Sequence, residues 1–213
     1  EAAEVDELAA AVERFLAMAT DCHARGGRIY VVCCGSSFHA AKAATLFFNE
    51  IAGVELLPIL PGEFRGQCAG SLRDGDLFVA VSQSGETKDL IDVINQVMAT
   101  GLDIGRVSLV NNVNSTLAQE KSDVVIPLRC GPEVAVPATK SFLNQLTVFY
   151  CLALRLAARR IPTLPVSDAR RAAMAESLAA REASLTSLPD LLSETLAATE
   201  ADFDYDRLAR VLL

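Results

Sequence analysis

Two periods of hydrophobicity share this chain, and the switches between them mark out its elements. Leu8, Val12 and Leu16 recur at helical spacing over residues 5–18, with alanines between them, and Gly26-Gly27 ends that helix. Short apolar runs then appear at 28–33, 54–59, 77–81, 107–110 and 123–127, which predicts five strands. Helical patterns separate them at 36–50, 88–100 and, more briefly, 115–120. A long apolar helix is expected at 138–158. The strands are apolar on both faces and alternate with helices, as in a parallel sheet covered on both sides. The fold class expected is α/β: a doubly wound, five-stranded parallel sheet in the flavodoxin-like order 2-1-3-4-5, flanked by helices.

Residues 161–165 form a proline-marked break. Beyond it, Ala/Leu/Glu/Arg-rich patterns predict helices at 167–188 and 191–198, a helical C-terminal linker. The closing residues 205–213 resemble 26–33 in kind, a polar lead-in followed by a strand. The chain is therefore expected to hold one domain over 1–160. Residues 161–213 are read as a linker and the start of a second domain of the same type lying beyond this sequence.

Candidate chemistry gathers where strands give way to helices. Ser82-Gln83-Ser84-Gly85-Glu86-Thr87 follows the third strand and leads into a helix. Three hydroxyls and an amide side chain sit where backbone N–H groups have no helical partner. With the positive end of a helix dipole, that composition suits a phosphate. A polar loop with a single cap needs one hydroxyl, and this turn has three. Glu86 would repel a phosphate, so a contact with a helix start or a cation is expected for it instead. Cys34-Gly35-Ser36-Ser37 follows the first strand. In the order 2-1-3-4-5, strands 1 and 3 are neighbours, so both turns open on one crevice. The link 131–140 follows strand 5 and is expected to close that crevice from the side. Glu63 and Arg65 follow strand 2; Glu63 could serve as a base, but a pair with Arg65 across a domain or subunit boundary is expected instead.

Composition removes several alternatives. A hydrophobic share of 51% over 213 residues supports a sizeable core, and a net charge of −8 argues against a nucleic-acid partner. No uninterrupted apolar run reaches the ~18–20 residues of a membrane span. The acidic opening Glu1-Ala2-Ala3-Glu4 is unlike a signal peptide, so a cytoplasmic protein with no membrane partner is expected. The six cysteines lack CxxC spacing and several lie in apolar runs, which favours free thiols. Only His23 and His39 are present, so no Ser/His/Asp set is arguable. His39 is read as a helix-surface residue, and no metal-ligand cluster is arguable.

Three stretches carry a family resemblance: Cys34 to Ala40 (Cys-Gly-Ser-Ser-Phe-His-Ala), Ser82 to Thr87, and Gly131 to Phe142 (Gly-Pro-Glu-Val-Ala-Val-Pro-Ala-Thr-Lys-Ser-Phe). In order and spacing they resemble the sugar isomerase (SIS) family. More narrowly, they resemble the isomerase half of the glutamine–fructose-6-phosphate aminotransferases (glucosamine-6-phosphate synthases). The resemblance spans roughly residues 27–158. It implies that Ser82, Gln83, Ser84 and Thr87 hold a phosphate, that Ser36 and Ser37 touch the sugar chain, and that Val136 and Ala138 line the pocket. It implies a tandem-domain aldose–ketose isomerase or aminotransferase acting on a hexose 6-phosphate, with no metal or redox cofactor. The family's acid–base residues belong to the second domain and the tail, so no catalytic residue is named here. Where that family has Ala-Ser-Thr-Lys, this chain has Pro137-Ala138-Thr139-Lys140, which removes a hydroxyl from the sugar's surroundings. Two alternatives stay open: a non-catalytic, sugar-phosphate-sensing regulatory protein, and an amino-sugar phosphate deaminase or isomerase without a glutaminase half. The apolar helix at 143–156 suggests a homodimer.

Overall fold

The computed structural model describes residues 2–134 and 138–202, with 204, 207 and 210. The chain divides into two compact units, Glu1–Arg160 and Ile161–Leu213. In the first, helix α1 (Ala2–Ala24) leads into β1 (Ile29–Cys33) and α2 (Ser36–Phe47). Then follow β2 (Leu57–Ile59), α3 (Pro61–Gln67), β3 (Leu77–Ser82), α4 (Lys88–Ala99), β4 (Gly105–Val110), β5 (Val124–Pro127) and α5 (Lys140–Arg160). The sheet is wholly parallel in the order β2-β1-β3-β4-β5, as the hydrophobic pattern predicts.

Every residue of β1 and β3 is buried, because helices cover both faces. On one face, Tyr30, Val32, Phe78 and Ala80 pack with Phe64 of α3 and with Leu90, Val93, Ile94 and Val97 of α4. Phe64 stands edge-on to Tyr30 and Phe78, with ring centroids 5.3 and 5.5 Å away. The other face carries α1, α2 and α5. In α5, Ser141, Gln145, Phe149, Leu152 and Leu156 are buried at intervals of three and four, a single packing stripe. Residues 140–163 are long and apolar enough, by length and composition, to cross a membrane. This corrects the expectation that no stretch qualifies. Asn144, Gln145 and Thr147 interrupt the run without lowering its average enough, and the buried stripe makes α5 a core helix.

Other boundaries moved as well. The second strand starts at Leu57, not residue 54. Helix α3 was not expected, since Pro61, Gly62 and Gly66 read as turn signals. Proline serves at the first helical position, where its missing N–H costs nothing, and Glu63 Oε2 accepts from Leu60 N at 3.4 Å. Helix α2 widens into a π-type turn at Phe48–Ala52 and stops at Gly53.

The second unit holds α6 (Asp168–Thr186) and α7 (Leu188–Asp202). Ser167 Oγ caps α6 by accepting from Arg170 N at 3.3 Å. Of the closing segment 205–213, only Arg207 and Arg210 are described, and both have helical backbone. The remainder of the expected strand lies outside the described residues.

Candidate functional site

Adjacent strands aim both polar turns at the same edge of the sheet. Cys33 and Val81 are register partners at the carboxyl ends of β1 and β3, so the two turns leave neighbouring strands at one level. The Cys34 thiol is pushed up by burial and then by the Asp89 carboxylate, so the exit of β1 lies within electrostatic reach of the first turn of α4.

The turn after β3 is built largely from its own hydroxyls. Ser82, the last residue of β3, is buried. Its Oγ lies 3.0 Å from Thr87 Oγ1 and accepts from Gly85 N at 3.0 Å. The carbonyl of Gln83 accepts from Asn111 N and Asn112 N at 3.2 and 3.3 Å, which ties the turn to the exit of β4. Ser84 is exposed, and its Oγ accepts from Glu86 N at 3.2 Å. Gly85 has φ +70°, and a Cβ there would overlap Ser115. Glycine is therefore required twice over, by conformation and by space. Glu86 Oε1 accepts from Thr116 N at 2.7 Å, the start of the helical turn Leu117–Lys121. That contact holds its carboxylate on a neighbouring element, as expected of a helix-start partner.

Neither α2 nor α4, the helices that follow β1 and β3, has a side-chain cap. Thr87 at the start of α4 and Gly35 at the start of α2 make no side-chain hydrogen bond to the first turn. Gly35 has φ 57° and ψ −135°, a pairing that side chains oppose. By contrast, Ser167 caps α6 and Glu133 caps α5. The first N–H groups of α2 and α4 therefore have no side-chain acceptor among the described residues. Lys88, first in α4, is exposed and makes no ion pair among the described residues. A cation beside a helix's positive end is unfavourable, and a bound anion offsets that.

Ser36 is exposed at the first position of α2, and Ser37 is buried behind it. Ala138 is half-buried two residues before α5. Val136 lies outside the described residues. Within the chain, Glu63 closes the start of α3, and Arg65 Nη2 reaches Asp89 Oδ1 at 3.5 Å. That exposed pair joins α3 to α4.

Sequence reading passed over four residues that shape this edge. Asn111 clamps the loop after β5, donating to Gly131 O and accepting from Cys130 N at 2.9 and 3.0 Å. Ser115 supports Gly85. Gln145 donates to Ser37 Oγ at 3.0 Å. Glu133 accepts from Ser141 Oγ at 2.5 Å, Thr139 N at 2.9 Å, Thr139 Oγ1 at 3.1 Å and Ser141 N at 3.2 Å. Those bonds, from Ser141 foremost and then Thr139, hold its carboxyl down at about 2. Lys140 Nζ donates to Pro132 O at 2.6 Å, a second tie across the same loop. Only the acidic 133 position carried a sequence signal, as a carboxylate ahead of a helix start. Two clefts, of about 610 and 400 Å³, lie along α1 and are not lined by the turn residues.

A family model described as the SIS domain matches residues 24–155. The chain belongs to the SIS domain family. Among curated relatives, this SIS chain is 37% identical over 129 residues to glutamine–fructose-6-phosphate aminotransferase [isomerizing] of Thermotoga maritima. The match takes in 61% of this chain and 21% of that protein, so the chain spans about a fifth of the relative's length. Among solved structures, it is similar to the C-terminal domain of glucosamine-fructose-6-phosphate aminotransferase from Francisella tularensis. There the TM-score is 0.62 and the identity 26%, over 88% of this chain and 50% of that one. A putative phosphosugar isomerase involved in capsule formation from Bacteroides fragilis shares the fold at a TM-score of 0.65 and 19% identity. That match covers 77% of this chain and 84% of that one.

Proposed function

We propose that this SIS domain holds a hexose 6-phosphate at the shared edge of β1 and β3. In this reading it is the substrate-holding half of an aldose–ketose isomerase or aminotransferase of the glutamine–fructose-6-phosphate aminotransferase type. The carrying observation is the pair of uncapped helix starts, α2 and α4, beside the hydroxyl-bearing turn 82–87. Ser84 Oγ and Thr87 Oγ1, with the free amides of α4, donate to the phosphate oxygens. The dipole of α4 and the ammonium of Lys88 supply positive potential without a metal. Ser36 and Ser37 face the sugar chain, and Val136 and Ala138 border it. The alanine at 138 offers that side of the sugar a methyl group in place of a hydroxyl.

The chemistry served is ring opening followed by proton movement between C1 and C2, which general acid–base groups perform. None of the residues described above is assigned that role. This domain's part is to fix the phosphate end so that the reacting carbons are presented in one position.

Calorimetry on the chain with fructose 6-phosphate, glucosamine 6-phosphate, fructose and inorganic phosphate tests the reading. Binding of the phosphorylated sugars and not of fructose supports it. Failure of both sugar phosphates to bind overturns it.

A further inference from the structure

Gln145 lies on the second turn of α5 with 1% of its surface exposed. Its Nε2 donates to Ser37 Oγ at 3.0 Å, while its Oε1 is buried with no hydrogen-bond partner. Ser37 is itself only 7% exposed and sits second in α2, at the open helix start.

A serine hydroxyl has one hydrogen and two lone pairs. Gln145 occupies a lone pair, so the hydrogen must point elsewhere. Thr20, Thr45 and Thr147 each give theirs to a carbonyl in the preceding turn of their own helix. Ser37 has no preceding turn, and no acceptor among the described residues takes its hydrogen. The donor is thus left available at the mouth of α2. The arrangement is costly, because a buried carbonyl without a donor loses its solvation and gains nothing. A methionine would fill nearly the same volume beside Phe149 and Leu152 without that penalty.

Resting on the sugar-phosphate reading of this edge, we propose that Gln145 is a positioning residue. It fixes the Ser37 hydroxyl so that its hydrogen donates to an oxygen of the bound sugar ester. Gln145 does not touch the ligand and acts through Ser37 alone.

The test is a double-mutant cycle on fructose 6-phosphate affinity, read by calorimetry on the full chain, with thermal melts of the ligand-free proteins. Gln145→Met is expected to melt no lower than wild type, since the orphaned carbonyl is gone. It should bind roughly three- to tenfold more weakly, the ordinary worth of one neutral hydrogen bond. Ser37→Ala should lose a similar factor. Gln145→Met added to Ser37→Ala should cost nothing further, because the route through Ser37 is already closed. Wild-type affinity in Gln145→Met overturns the proposal, as do losses that add in the double variant. Should Gln145→Met fail to fold, wild-type affinity in Ser37→Ala overturns it alone. If wild type binds the sugar ester and Ser84→Ala weakens it while this cycle shows no coupling, the inference fails and the site stands. If wild type binds no sugar ester, both fall.

Discussion

The backbone of Gly85 lies directly against the side chain of Ser115, so closely that a single added methyl would overlap it. The left-handed φ of Gly85 opposes a side chain independently. Gly85→Ala is expected to lose about 2–4 kcal/mol, the sum of a conformational and an overpacking cost. Thermal melting should fall by roughly 5–15 °C for a chain of this size. Adding Ser115→Gly should recover the overlap share and leave the conformational one.

Ser84 tests the phosphate reading most directly, because it is exposed and its hydrogen bond, from Glu86 N, is an exposed one within its own turn. Ser84→Ala is expected to weaken fructose 6-phosphate binding by about 1–3 kcal/mol, the range for a hydrogen bond to a charged group. Melting should fall only slightly, since the bond lost, from Glu86 N, is exposed. Calorimetry showing wild-type affinity would remove Ser84 from the site.

The Glu133 carboxyl is held at about 2, below its ordinary 4.5, by hydrogen bonds from Ser141 and Thr139. A depressed carboxyl contributes stability in full above its unfolded value and loses it as pH falls through the folded one. The start of α5 should therefore keep its protection at neutral pH and lose it between about pH 4.5 and 2. Amide hydrogen exchange at Ser141 and neighbouring residues reads this out. Glu133→Gln should show the frayed behaviour already at pH 7.

Asp76 is 2% exposed and accepts from Arg28 N at 2.8 Å and Arg73 N at 3.1 Å, joining the starts of β1 and β3. Asp76→Ala leaves two amides unpaired beside a cavity and is expected to cost about 2–4 kcal/mol in urea unfolding. Sugar-ester affinity should not change, since the residue lies at the opposite end of the strands from the turn 82–87.

Leu143 on α5 and Leu46 on α2 are 38% and 66% exposed. Pairing of two copies through this region would cover them. Light scattering after size-exclusion chromatography is expected to report a dimer at micromolar concentration; a monomer there would count against it.

Much of this fold was legible because β1 and β3 carry nearly unbroken apolar runs and every strand but the second is followed by a visible helical period. The strand order expected from the pattern already sets the two polar turns side by side. Helix α3 was hidden because its proline and two glycines are turn signals in isolation. Packing of Phe64 between Tyr30 and Phe78 overrides them. Gln145 was hidden for a different reason. One polar residue in an apolar helix has no periodic signature, and its partner Ser37 lies 108 positions away. The Arg65–Asp89 contact was hidden because the two become neighbours only once α3 and α4 pack together.

Asp76 anchors the sheet at the amino ends of its strands, while the hydroxyl turns occupy the carboxyl ends. Roughly 20 Å of β3 lies between them. An engineer could therefore harden this protein against heat by editing one end and alter the proposed sugar-ester site at the other, with little interference between the two programmes.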